Sequence, residues 1–268
     1  MNKIKQDFDK NGFALGAKVI SDTECDALGA EVEYLVENRT ALPKDKSPVN
    51  ISSLGGVENP VWQIVDIFMA SDKFTELIHL PQITKVVAEL SEAKELRLWH
   101  DQIQYKPSEN GGENFWHQDW PYWGILDKPT QVTAWIALDD AAEDNGCMSM
   151  VKGSHKWGDQ IMEIHSWNKG EGTPFFEIPK EFEHGKIEQV LCPVPKGHVH
   201  FHHGLTWHGS HANTSGRPRR AIALHYMTEK TCFDDSGNHI MKKFVDVKDG
   251  EKLSGDSFPL VYANSQAI

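Results

Sequence analysis

The sequence predicts an α+β protein in which flanking N-terminal helices precede a jelly roll of two facing antiparallel sheets, a double-stranded β-helix. Three observations predict it. Apolar residues recur at helical spacing up to about residue 94, they alternate with period two from about residue 95, and the strand-like runs are short and bounded by Gly, Asn and Pro. The expected organisation is a single domain over 1–268, with a helical part at about 1–94, a jelly-roll core at about 95–228 and a C-terminal extension over 229–268.

A short polar start leads to the turn Asp9-Lys10-Asn11-Gly12, flanked by Phe8, Phe13, Ala14 and Leu15. Ser21 and Glu24 form a capping box ahead of Leu28, Val32 and Leu35, which predicts a helix to about Asn38. Ala41 to Pro60, rich in Pro, Ser, Asn and Gly, reads as a long loop, either a connector or a lid. Helical patterns resume at Val61 to Ala70, at Phe74 to Ile78 and at Pro81 to Leu90, where Ile83, Val86, Val87 and Leu90 share a face. Strands then start with Leu96, Leu98, Ile103 and Tyr105 and continue with Val132, Ala134, Ile136 and Leu138. Asn145-Gly146 after this run signals a hairpin. Gly158 to Gln189 reads as a polar excursion, after which strands return at Val190 to Val194, His198 to His203 and Ala221 to Met227. In the extension, Phe244, Val245 and Val247 read as an edge strand.

With 25% charged and 39% hydrophobic residues the composition is that of an ordinary soluble globular protein. The formal charge of -12 disfavours nucleic acid as a partner, because phosphate binding needs a basic patch and Arg217-Pro218-Arg219-Arg220 is too short to be one. The start of the chain has no apolar leader-like run, and no stretch approaches the roughly 20 apolar residues of a membrane span. A cytoplasmic protein without a membrane partner is expected. The four cysteines form no C-x-x-C pair and read as reduced thiols. Oligomeric state is not encoded in any of these patterns.

The chemistry concentrates in Phe115-Trp116-His117-Gln118-Asp119-Trp120. On a strand, His117 and Asp119 project from the same face and can share one ion. A lone H-x-D arises by chance in a chain with 14 His and 39 acidic residues, so a third donor is needed. The stretch from His198 to His211 offers it. Two His and one carboxylate with open positions form the facial triad of non-haem iron(II) oxygenases.

Among those histidines, His208 stands in Trp207-His208-Gly209-Ser210-His211-Ala212-Asn213, eleven residues before Arg219. With Trp116-His117-Gln118-Asp119, Asp144-Asn145-Gly146 and Gly153-Ser154-His155, this pattern resembles the phytanoyl-CoA dioxygenase family of iron(II)- and 2-oxoglutarate-dependent oxygenases, from about residue 8 to 228. The resemblance implies His117, Asp119 and His208 as iron ligands and Arg219 as the partner of the distal carboxylate of 2-oxoglutarate. A planar guanidinium suits that carboxylate, and Arg220 lies on the opposite strand face. It further implies Ser210 and Thr133 as co-substrate contacts, with Gln104 and Lys106 as weaker candidates for the same pocket.

By the same resemblance the protein is expected to hydroxylate an unactivated C–H bond, consuming 2-oxoglutarate and O2 and releasing succinate and CO2. The carboxylate of Asp119 occupies the position that related halogenases leave small for halide. The expected substrate is a small polar metabolite such as an amino acid derivative or aminophosphonate, with an acyl-CoA or natural-product scaffold as the alternative. Trp120, Tyr122 and Trp123 either wall the substrate pocket or pack the core. The competing class is a cupin-like protein that holds a metal or small ligand without turnover; a zinc hydrolase would give Arg219 no role.

Overall fold

Asn2 accepts a hydrogen bond from the Ile4 N–H and Gly12 closes the helix in the left-handed region at φ 88°, so the polar start is itself a helix, α1 (Lys3–Asn11). The computed structural model describes residues 2–43, 47–56, 58–167 and 178–264. After β1 (Phe13–Lys18) comes α2 (Asp22–Glu37), whose Ser21–Glu24 capping box forms as expected. β2 (Asn50–Leu54), β3 (Val61–Val65), α3 (Asp72–Ile78) and α4 (Pro81–Ser91) complete the N-terminal part. The following strands are β4 (Glu95–Lys106), β5 (Asn114–His117), β6 (Val132–Ala137) and β7 (Met148–Val151), then α5 (Ile161–Trp167). Next come the short hairpin strands β8 (Glu181–Phe182) and β9 (Gly185–Lys186) and β10 (Gln189–Cys192). β11 (His198–His203), β12 (His208–Ser210), β13 (Arg219–Thr228) and β14 (Leu260–Ala263) follow.

Two antiparallel sheets result. The larger runs β1-β11-β6-β13-β4-β3-β2 with β14 also on β4, and the smaller runs β10-β7-β12-β5. Period-two alternation gives the large sheet two faces. One carries Ile103, Ala134, Ile136, Val199, Phe201, Ile222 and Leu224, which form a continuous core with Leu28 and Val32 of α2, Phe74 of α3 and Ile83 and Val87 of α4. The other face carries Gln102, Gln104, Trp135, His202, Arg219, Ala223 and His225, which share one cavity. The helical layer thus packs the outside of the sheet and leaves the polar inner face to the site.

Several sequence expectations are corrected. Val61 to Ala70 is not helical: Trp62 to Val65 pair with Tyr105 to Gln102 of β4, and a 3-10 turn at Ile67–Met69 follows. A short apolar run is ambiguous in period, and pairing with β4 decides it. Within the expected loop at Ala41 to Pro60, β2 pairs along all of β3; residues 44–46 and 57 lie outside the described ones. Asn145-Gly146 is a turn, with Gly146 at φ 82°, but not a hairpin, because it carries the chain from β6 in one sheet to β7 in the other. Phe244 ends a 3-10 turn, Ile240–Phe244, and the edge strand of the extension is β14. The excursion at Gly158 to Gln189 contains α5 and the β8/β9 hairpin, with 168–177 outside the described residues.

Candidate active site

β5 and β12 are neighbours in the small sheet, and His117 and His208 are direct partners in their register. Their rings lie 4.1 Å apart between centroids. Gly209 permits this approach: a Cβ there would lie 3.0 Å from the Asn114 carbonyl oxygen and 3.2 Å from the Trp116 nitrogen. Asp119 does not share a strand face with His117, as the sequence led us to expect. The strand ends at His117, and Asp119, in helical backbone at φ -74° and ψ -50°, opens the turn Trp120–Tyr122. That turn swings the carboxylate back, so that its Oδ1 lies 3.6 Å from Nε2 of both His117 and His208. The three donor atoms lie within 4.8 Å of one another.

Both rings are set in the same tautomer. The Phe115 carbonyl lies 2.6 Å from His117 Nδ1 and the Thr206 carbonyl 2.9 Å from His208 Nδ1. A carbonyl only accepts, so each Nδ1 carries a hydrogen and each Nε2 faces the carboxylate as the nitrogen left to ligate a metal. On the far side of Asp119, Oδ2 has His202 Nε2 at 3.3 Å and accepts from Thr133 Oγ1 at 3.4 Å. Thr133 Oγ1 also meets His225 Nδ1 at 2.7 Å. Burial works to raise Asp119, but His208, His117 and His202 outweigh it and hold the carboxyl well below the usual range. Burial likewise lowers His117 while Asp119 overrides it and raises the ring; His208 is driven well down by burial and by His117. The carboxylate draws positive charge to this point, and two imidazole nitrogens and an oxygen fit a divalent first-row metal ion.

Arg219 opens β13 on the inner face and is 2% exposed. Its Nη1 donates to the Gln104 carbonyl at 3.2 Å and its guanidinium lies 5.6 Å from the Trp135 ring centroid. Its Nε is buried without a hydrogen-bond partner among the described residues, and none of their carboxylates pairs with it. Burial lowers the guanidinium to about 10. A buried cation with no anion is costly, and a ligand carboxylate would relieve it. Arg220, on the opposite face, is bound through Nε and Nη2 by both oxygens of Asp139 and reaches Glu33 of α2.

Ser210 and Gln104 line the cavity between Arg219 and the His/Asp cluster, whereas Thr133 stands behind Asp119 and is not on the wall. Lys106 is fully buried beside Arg219 in register and donates to the carbonyls of Ser210 and His211, anchoring β12. Of the aromatic residues, Tyr122 and Trp123 line a second, wider part of the cavity and Trp120 does not. Tyr122 is 51% exposed and its hydroxyl meets His165 of α5 at 2.8 Å, while Trp123 is 4% exposed.

Sequence reasoning missed Asn114, Gln102, His202 and His225. Period two on β11 groups His202 with His198 and His200, and period two on β4 places Gln102 with Gln104. Nothing along the chain says which face is inward. The wider chamber, about 410 Å³, is lined by amides, imidazoles and apolar side chains such as Leu54, Val65 and Phe115, and includes His117 and Asp119. His239 reaches it from the C-terminal extension, where burial lowers its imidazole to about 4.

The phytanoyl-CoA dioxygenase family model matches residues 8–221. The peroxisomal phytanoyl-CoA dioxygenase of Bos taurus is 25% identical over 90% of this chain and 73% of its own. A probable alpha-ketoglutarate-dependent hypophosphite dioxygenase of Stutzerimonas stutzeri is 29% identical over 78% of this chain and 69% of its own. Among solved structures, the non-heme alpha ketoglutarate dependent carbocyclase SnoK from nogalamycin biosynthesis superposes with a TM-score of 0.76 at 24% identity, over 98% of this chain and 97% of its own. EctD from S. alaskensis superposes with 0.67 at 20% identity, over 87% and 79%. These two likenesses concern the fold.

Proposed function

The chain belongs to the phytanoyl-CoA dioxygenase family, and from that premise we propose that it uses iron(II) and 2-oxoglutarate to hydroxylate a C–H bond of a small polar metabolite. One observation carries the reading: His117, Asp119 and His208 converge within 4.8 Å on the same cavity that Arg219, a buried cation without a carboxylate partner among the described residues, also lines.

The bound metal and co-substrate supply the oxidising power, converting 2-oxoglutarate and O2 to succinate and CO2 as one oxygen atom enters the substrate. The protein's part is geometric. With their Nδ1 hydrogens committed to backbone carbonyls, His117 and His208 turn Nε2 toward Asp119 as the nitrogens that would hold the metal. Thr133 and His202 fix the second oxygen of Asp119. Arg219 binds the distal carboxylate of 2-oxoglutarate, and Ser210 and Gln104 border its path. Tyr122 and Trp123 wall the substrate chamber, whose volume of about 410 Å³ is in the small-molecule range. The carboxylate of Asp119 supports hydroxylation over halide transfer. A cytoplasmic setting belongs to the same reading, supported by four free cysteine thiols; no described helix is long and apolar enough to cross a membrane.

Anaerobic addition of iron(II) and 2-oxoglutarate should produce a weak visible charge-transfer band, lost in His208→Ala. Folded, iron-treated protein without that band would overturn the proposal and leave a binding protein in its place.

A further inference from the structure

We infer that the part of the substrate held in the wider chamber carries no charge and is bound through hydroxyl or amide groups. The inference rests on the oxygenase reading of this site.

Four primary amides from three strands converge there. Gln63 of β3 is the register partner of Gln104 of β4, Gln102 follows on the same face, and Asn114 begins β5. Asn114 Nδ2 donates to Gln104 Oε1 at 3.1 Å. Its own Oδ1 is buried without a partner among the described residues. The side chains of Gln63 and Gln102 engage none of the described residues by hydrogen bond. Opposite, His239 Nδ1 accepts the Met241 N–H at 3.2 Å, which places its hydrogen on Nε2 and makes it a donor. The chamber therefore offers free donors and free acceptors in similar measure, the pattern that hydroxyl and amide groups satisfy from either side.

Its described lining offers no free counter-ion for a charge. Among its described lining residues there is no Lys or Arg, and Asp119, the one carboxylate, is committed to the metal. A phosphate, phosphonate or carboxylate would lose its water without gaining a Lys or Arg partner from this lining, and an ammonium would find no carboxylate there other than Asp119. Trp123 does not replace that pairing, because it is covered by the rings of Trp99, His100 and His225. An alkyl chain would find Leu54, Val65 and Phe115 in the lining but would strip water from the four amides and return no hydrogen bonds. These considerations narrow the proposed small polar metabolite away from aminophosphonates and charged amino acids.

The test uses anaerobic protein holding iron(II) and 2-oxoglutarate, titrated by calorimetry with methyl glucoside, N-acetylglucosamine, glucosamine, glucuronate and glucose 6-phosphate. These share one ring size and differ in charge. The two uncharged members should bind at least tenfold more tightly than each charged one. With the visible band present, a charged member that binds as well as the uncharged ones, or failure of both uncharged ones to bind, overturns the inference. An absent band defeats the oxygenase reading instead. Gln63→Leu should weaken the better uncharged ligand about three- to tenfold, with the band recorded alongside to separate lost contact from a lost metal centre. Unchanged affinity in that variant also overturns the inference, and the panel on unaltered protein stands if the variant misfolds.

Discussion

Replacing Arg219 by Met should move ligand affinity and stability in different directions. Burial brings the guanidinium down to about 10, and at ~1.4 kcal/mol per tenfold change in proton affinity a charged Arg219 costs the ligand-free fold about 3 kcal/mol. The sign follows from the direction: a base whose folded pKa is depressed destabilises the fold at every pH below that value, neutral pH included. Met has a similar reach and no charge to desolvate, so the ligand-free variant should be as stable as the parent or up to about 3 kcal/mol more stable, less the lost bond to Gln104 and the contact with Trp135. Binding of 2-oxoglutarate should fall by about 2–5 kcal/mol, roughly 30-fold to several thousandfold, the usual loss when one partner of a buried charge pair is removed. Guanidinium chloride unfolding of ligand-free protein gives the first quantity, and anaerobic titration of the visible band gives the second. Arg220→Met is the control. It should lose about 1–3 kcal/mol of stability through its bidentate contact to Asp139 and keep its 2-oxoglutarate affinity. The reasoning is refuted if Arg219→Met binds 2-oxoglutarate like the parent, or if Arg220→Met is the variant that loses it.

Thr133→Val removes the hydroxyl that bonds Asp119 and His225 without changing the shape of the residue, and iron(II) affinity should drop about 10- to 100-fold in a chelator competition; a drop under twofold would show that Asp119 is held without it. Asp66, fully buried and with both carboxylate oxygens unpartnered among the described residues, is pushed up to about 8 by burial and by Asp101, itself pushed up to about 7 by burial. Because the unfolded chain releases these protons first, stability contributed by the neutral forms is lost as pH rises from about 4 to about 8. Asp66→Asn, in a left-handed conformation at φ 57° that Asn accepts, should add about 2–5 kcal/mol at pH 8 and much less at pH 5. Equal gains at the two pH values in denaturant unfolding would rule out ionisation as the cause.

The parts of the fold legible along the chain are those whose signals are local. The capping box at Ser21 and Glu24, the apolar face of Pro81 to Leu90 and the alternation in β4, β6 and β13 each stand where they were expected. What failed depended on partners distant in sequence. Val61 to Val65 becomes a strand only because β4 lies beside it, and Asn145-Gly146 changes sheets because β7 finds β10 and β12 instead of β6. Asp119 was selected with the right neighbours for the wrong local reason, since a turn and not a shared strand face returns its carboxylate to His117.

By itself the sequence determined the residue types of the site and their spacing: an imidazole and a carboxylate two apart, a His-Gly-Ser downstream, and an arginine eleven residues later. Each is a short-range pattern that survives without knowledge of the rest of the chain. The family resemblance singled out His208, and the tertiary structure gives the physical reason: register between β5 and β12 sets His208 against His117, while His202 reaches the other oxygen of Asp119 from the other sheet. Only the tertiary structure decided that Arg219 lacks a carboxylate partner among the described residues and that four uncharged amides meet in the neighbouring chamber. Those properties belong to the space between two sheets, and no single segment of the chain contains it.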